Sequence, residues 1–416
     1  MTRLKIIDGS DSRAVKRLAA GSVRHDAALE RRVRRIIDAV RSGGDAALKA
    51  FARRFDDFDG PLVVSRDELI DGASRVAPDV RRAIKDAARN IARVAARQLP
   101  RRTLINVVPG VTVEQRVEPM TRVGCYVPAG RFPLPSSLLM TVVPARVAGV
   151  REIAVACPRP EPAVMAAAVE AGATSMLRVG GAHAIAALAY GTQTIAAVQK
   201  IVGPGNRYVA TAKAIVASAG ACAIDFFAGP TEIVVVAATG NPAWVAADLV
   251  AQAEHDPDAR AILITWRRAF ADRVASAIDR CVVDGSIAAR ALRGHGAIVL
   301  VENADRAMAL ANRLAPEHLV VEREALARRP LVAGAVFVGP YTAQAAGDYA
   351  TGSNHVLPTS GAARIRGGLS ASDFVRVMSV QRVTRAGLGR LAPAIVTLAR
   401  AEGLRAHAES IEVRLR

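Results

Sequence analysis

Apolar positions recur at helical spacing through most of the first hundred residues. Stretches 31–40 and 45–54 carry this period, and Pro78 opens a longer amphipathic helix that stops before Pro100. Val80, Ile84, Ile91 and Val94 mark its apolar side, with Arg81, Arg82, Lys85 and Arg89 opposite. Residues 111–117 alternate like a strand.

From residue 122 the period changes. Short apolar runs at 123–127, 153–157, 176–179 and 195–202 alternate with helical stretches such as 163–171. A second series follows at 233–237, 261–265, 298–301, 318–321 and 335–338, with a helical stretch at 244–254. Repeated β-α-β units favour parallel sheets covered on both faces, so two α/β domains of similar design are expected. The expected organisation is a helical segment with one strand (1–121), two α/β domains (122–231 and 232–370) and a tail (371–416). The tail reads as helix, longest at 387–401. No GxGxxG turn follows a strand; Gly203-Pro204-Gly205-Asn206 is the nearest cluster and fails the spacing.

Hydrophobic residues make up 51% of the 416 positions and charged residues 23%, which excludes general disorder. No apolar run reaches the roughly 18 residues of a membrane span, and the first residues lack a secretory apolar core. The expectation is a cytoplasmic protein without membrane contact. The net charge of +18 is carried almost wholly by arginine. It is spread over helix faces and aromatics are only 4%, so a solvated surface explains it better than nucleic-acid binding. Cys125, Cys157, Cys222 and Cys281 form no CxxC pair and read as buried free thiols.

Four groups of residues could carry chemistry. Gln252 and His255 lie three apart at the end of a helix begun by Asn241 and Pro242. The two could reach one metal, or the histidine could simply favour the helix dipole. In Ala315-Pro316-Glu317-His318 an acid and an imidazole adjoin at a helix-to-strand junction. That pairing suits proton transfer, although a plain turn would also produce it. Asp348 and His355 lie in a polar, glycine-bearing stretch after the 335–338 strand, where carboxyl-end loops of α/β folds host sites. Glu402 and His407 stand in an otherwise ordinary tail, and glycine-rich loops occur around Gly130, Gly180-Gly181 and Gly203. His25, His183 and His295 complete the histidines.

Taken together, the stretches 123–130, 203–206, 225–232, 252–255, 316–318, 347–349, 354–358 and 404–407 resemble the histidinol dehydrogenase family, in its order and near its spacing. The resemblance runs from about residue 25 to the C-terminus. It implies two incomplete Rossmann-like domains in an aldehyde-dehydrogenase-like arrangement, with small helical terminal segments, in an intertwined homodimer. Residues 122–231 would then bind NAD, 232–370 would hold zinc and substrate, and 371–416 would serve dimerisation. The implied reaction oxidises L-histidinol to L-histidine through L-histidinal, reducing two NAD, with one zinc per site, at the end of histidine biosynthesis.

By the same resemblance, Gln252, His255, Asp348 and His407 are the zinc ligands, and Glu317 and His318 are catalytic. Thr231, Gln252, His255, His318, Asp348, His355, Glu402 and His407 bind substrate. Tyr126, His183 and Asn206 contact NAD. His183 stands where the family commonly has glutamine, and Thr231 replaces a common serine. The competing readings are a relative within the family acting on another small alcohol, such as a sulfonated propanediol, and a basic nucleic-acid-binding protein without catalysis.

Overall fold

The computed structural model describes residues 4–19, 26–129, 133–226 and 229–416. His25, Gly130, Phe227 and Ala228 lie outside them. Fourteen strands are placed among the described residues: β1 (Lys5–Asp8), β2 (Thr103–Val108), β3 (Val111–Pro119), β4 (Arg122–Tyr126), β5 (Glu152–Ala156), β6 (Ser175–Leu177), β7 (Lys200–Val202), β8 (Ala223–Ile224), β9 (Glu232–Val236), β10 (Arg260–Thr265), β11 (Ala297–Leu300), β12 (His318–Val321), β13 (Ala335–Val338) and β14 (Val375–Val383).

Two parallel sheets form the body. The first runs β6-β5-β4-β7-β8 and the second β1-β11-β10-β9-β12-β13. Alternate residues feed the two faces of each sheet. In β4, Val123 and Cys125 enter one apolar cluster while Tyr126 enters the other; in β9, Ile233 and Val235 oppose Val234 and Val236. Helices cover both faces, as an apolar parallel sheet requires. Each sheet has a point where the chain, having built outward on one side, returns to build on the other. In the first this lies between β4 and β7, in the second between β9 and β12.

A third sheet, β14-β3-β2, is antiparallel and ties the tail to the N-terminal segment, with Val375 opposite Pro119 and Val383 opposite Val111. Beyond it the helices Arg385–Ala401 and Arg405–Glu412 pack on each other. Leu104, Ile105, Val107, Val377, Met378, Leu398 and Val413 are exposed on this arm.

Several expectations need correction. The 1–121 segment holds three strands instead of one. Lys5–Asp8 becomes a strand through pairing with β11, far along the chain, and is too short for its alternation to show. Thr103–Val108 leaves almost every residue exposed, so no two-faced pattern marks it. The tail is not purely helical, because β14 joins β3. The 195–202 run yields only Lys200–Val202. The two N-terminal helical stretches are one helix, Ala27–Phe51, kinked at Gly44, where φ is 53°. Cys125, Cys157 and Cys222 are buried, but Cys281 is exposed. Among the described residues no helix is long and apolar enough to cross a membrane.

Candidate active site

Thr231, Gln252, Glu317, His318 and Asp348 gather at the amino ends of β9 and β12. Thr231 precedes β9, and His318 is the first residue of β12. The helix Ala304–Leu314 ends on Ala315, which adopts φ 49° and ψ 59°, left-handed values that non-glycine residues rarely take. Pro316 then bars further helix. This abrupt turn sets Glu317 and His318 at the amino end of β12, between β9 and β13. Gly334 is required beside it, since a Cβ there would stand 2.7 Å from the Glu317 carbonyl oxygen.

A hydrogen-bond chain fixes Glu317. Thr231 Oγ1 donates to Glu317 Oε2 at 2.5 Å, and the Glu232 backbone N–H donates to the same oxygen at 2.9 Å. Gln252 Nε2 donates to Thr231 Oγ1. Because the hydroxyl hydrogen goes to Glu317, the threonine oxygen receives the amide NH2, and Gln252 turns its carbonyl the other way. Gln252 Oε1 is buried and has no partner among the described residues. Burial pushes the Glu317 carboxyl up to about 8, against the Thr231 and Glu232 donors that lower it.

His318 is buried 3.6 Å from Glu317 Oε2 by its Nδ1. That nitrogen also lies 3.0 Å from the Glu232 carbonyl oxygen. Nε2 is buried, has no hydrogen-bond partner among the described residues, and lies 3.9 Å from Asp348 Oδ1. Burial lowers the imidazole pKa, which keeps the ring neutral.

Asp348 does not lie in a carboxyl-end loop, as its sequence position suggests. It closes the helix Gln344–Tyr349, which returns it to the starting ends of β12 and β13. Gln344 Nε2 donates to Asp348 Oδ2 at 2.8 Å. His355 Nδ1 donates to the Asp348 carbonyl at 2.9 Å, and its Nε2 accepts from Ser137 Oγ at 3.3 Å. Ser137 opens the helix after β4, so His355 bridges the carboxyl side of the first sheet and the amino side of the second. His255 is near enough to His355 to lower its pKa, although burial is the main cause.

Glu402 and His407 are exposed on the C-terminal arm. Among the described residues neither side chain hydrogen-bonds or ion-pairs with this cluster. Nor do three His, Cys, Asp or Glu side chains of one chain converge as a metal-binding set among the described residues.

The three nucleotide candidates surround the reversal point of the first sheet. Tyr126 ends β4, and its hydroxyl accepts the Gly181 N–H at 3.0 Å. Asn206 follows β7 and caps the helix Arg207–Ser218 through the N–H groups of Tyr208 and Val209. Gly203 holds φ 114° where a Cβ would strike the Tyr126 carbonyl. His183 is buried, with Nε2 2.8 Å from Asp56 Oδ2 and its ring stacked on Phe51. Asp56 Oδ2 also accepts the Gly180 N–H at 3.0 Å.

The sequence reading passed over Gln344 and Ser137. Gln344 carried a usable signal, the i,i+4 spacing to Asp348, which becomes visible only once that stretch is recognised as helix. Ser137 precedes an apolar helical run after Pro135, an N-terminal signature with no hint of its histidine partner.

Comparisons with known proteins agree on one family. The histidinol dehydrogenase family model matches residues 20–415. Histidinol dehydrogenase of Rhizobium meliloti is 46% identical over 397 residues, covering 92% of this chain and 91% of that protein. The protein of the same name from Methanothermobacter thermautotrophicus is 44% identical, with 92% of each covered. The crystal structure of histidinol dehydrogenase from Elizabethkingia anophelis superposes with a TM-score of 0.94 at 33% identity, over 99% of this chain and 98% of that one. With the match spanning almost the whole sequence and fold, the chain belongs to the histidinol dehydrogenase family of oxidoreductases.

Proposed function

We propose that the protein oxidises L-histidinol to L-histidine through L-histidinal, with NAD and zinc, as the closing steps of histidine biosynthesis. The observation that carries this reading is the pair of buried, unpartnered atoms at its centre, Gln252 Oε1 and His318 Nε2. Buried polar atoms are normally satisfied, so two orphans beside a carboxylate suit a site completed by a bound group. The donor set of amide oxygen, imidazole and carboxylate is one that zinc accepts.

Gln252, His255 and Asp348 would hold zinc together with His407 of the partner subunit. Zinc, when bound, would supply a cation able to accept nitrogen donors of histidinol. Thr231, His355 and Glu402 of the partner subunit would complete the substrate pocket. NAD, when bound, accepts a hydride in each of two oxidations. Its site at the β4–β7 reversal fits the rule that open parallel sheets bind ligands there. Tyr126 and Asn206 would contact it, with His183 supporting the Gly180-Gly181 turn through Asp56.

The residues then divide the proton work. His318 Nε2 takes the hydroxyl proton of the alcohol as its hydride leaves. Glu317, as carboxylate, takes a proton from the water that adds to the aldehyde. His318 takes the hydroxyl proton of the resulting hydrate in the second oxidation. The exposed apolar arm supports a homodimer in which Glu402 and His407 complete the neighbouring site.

The reading is tested by comparing substrates. L-histidinol should support NAD reduction at low concentration, and a sulfonated propanediol should not. The reverse preference would place the chain with a different small alcohol.

A further inference from the structure

We propose that Gln344 is a positioning residue for the metal: it takes one oxygen of the Asp348 carboxylate so that the other is presented to the zinc site. The proposal rests on the zinc reading above and assigns to that site a residue outside its expected ligand set.

Gln344 is 1% exposed, an unusual place for an amide side chain without a task. Its Nε2 donates to Asp348 Oδ2 at 2.8 Å, within the same helix and one turn earlier. An ionised carboxylate only accepts, so the amide must present its NH2, which settles its orientation. Oδ1 is then the oxygen left on the His318 side, 3.9 Å from Nε2.

The short helix also lies beside the helix Pro242–Ala253, where burial pushes the Asp248 carboxyl up to about 6 against the lowering effect of the nearby Gln344 N–H. Gln252 lies four residues beyond Asp248, one turn along that helix. The Asp348 main chain is held separately, through its carbonyl, by His355. Gly347 allows the short helix to lie against β13, since a Cβ there would stand 2.6 Å from the Phe337 ring. Side chain and backbone of Asp348 thus have different anchors, and only the side-chain anchor is Gln344. Partners of this kind, which orient a ligand without touching the metal, typically contribute 10- to 100-fold to metal affinity.

The test is zinc affinity of the full-length protein, by competition with a chromophoric chelator, in wild type, Gln344→Met and Gln344→Asn. Methionine keeps length and burial but cannot donate, while asparagine keeps the amide but withdraws it by one methylene. Both variants should keep the wild-type circular dichroism and bind zinc about 10- to 100-fold more weakly. Cobalt-loaded variants should show a shifted visible spectrum, and kcat should recover toward wild type at saturating zinc. If one variant fails to fold, the other decides. Wild-type zinc affinity and an unchanged cobalt spectrum in a folded variant would overturn the role of Gln344 alone. Failure of the wild-type protein to bind zinc would instead overturn the metal reading, and this proposal with it.

Discussion

His318 Nδ1 lies 3.0 Å from the carbonyl oxygen of Glu232, and this contact decides which nitrogen can act as a base. A carbonyl only accepts, so Nδ1 carries the hydrogen and the lone pair sits on Nε2. That atom is buried and has no hydrogen-bond partner among the described residues. His318→Asn should therefore lower both oxidations by about 10²–10⁴-fold, the range typical of a positioned base. Separate assays with histidinol and histidinal check this, and a loss confined to one substrate would contradict it.

The task proposed for Glu317 is narrower. Glu317→Gln should spare oxidation of the alcohol and slow oxidation of the aldehyde, because only the second step needs activated water. Burial pushes its carboxyl up to about 8, so the group is protonated below that pH and becomes a base above it. The histidinal rate should climb through about pH 8 in wild type and lose that limb in Glu317→Gln. An unchanged profile in the variant would remove Glu317 from water activation.

Zinc should matter to chemistry far more than to the fold. The cores are built from the two faces of each parallel sheet, and none of the four proposed ligands belongs to them. Chelation should abolish activity and leave circular dichroism nearly unchanged. Full activity of metal-free protein would contradict the ligand assignment.

The exposed positions of Glu402 and His407 become intelligible if each tail serves the neighbouring subunit. His255→Ala and His407→Ala homodimers should each be nearly inactive. After equal mixing and full exchange, half the dimers are hybrids with one intact site, so about a quarter of wild-type activity should return. No recovery, with exchange demonstrated, would mean that His407 serves its own chain.

The arm also carries a buried acid. Glu114 accepts hydrogen bonds from Arg116, Arg382 and Arg102, which hold its carboxyl well down, at about 2 against an ordinary 4.5. A depressed folded-state pKa contributes stability that is present above about 4.5 and lost as pH falls toward 2. Wild type should lose thermal stability across that window. Glu114→Gln should start lower and fall less, and parallel curves would contradict the clamp.

Much of the fold and part of the candidate site were legible in the sequence because some of the signals are local. Glu317 and His318 adjoin, and Pro316 announces the junction that aims them. Gln252 lies in the last turn of a helix whose Asn241-Pro242 start is explicit, and His255 follows just beyond its end at Ala253. The alternation of apolar runs and helices marked both parallel sheets. What stayed hidden is long-range. Nothing near Lys5–Asp8 names β11 as its partner. Nothing in Thr103–Val108 reveals a strand whose residues are nearly all exposed. The sequence also places Asp348 after β13, at the wrong end of the sheet, until a short helix carries it back to His318. The pairing of His183 with Asp56 depends in the same way on residues far apart in the chain.

The most direct test of the whole account is the number of NADH molecules formed per L-histidinol consumed by the purified protein. One alcohol-to-acid conversion in two hydride steps at one site, using His318 twice and Glu317 once, predicts two NADH and one L-histidine. A single NADH with accumulating aldehyde, or no NADH at all, would contradict it.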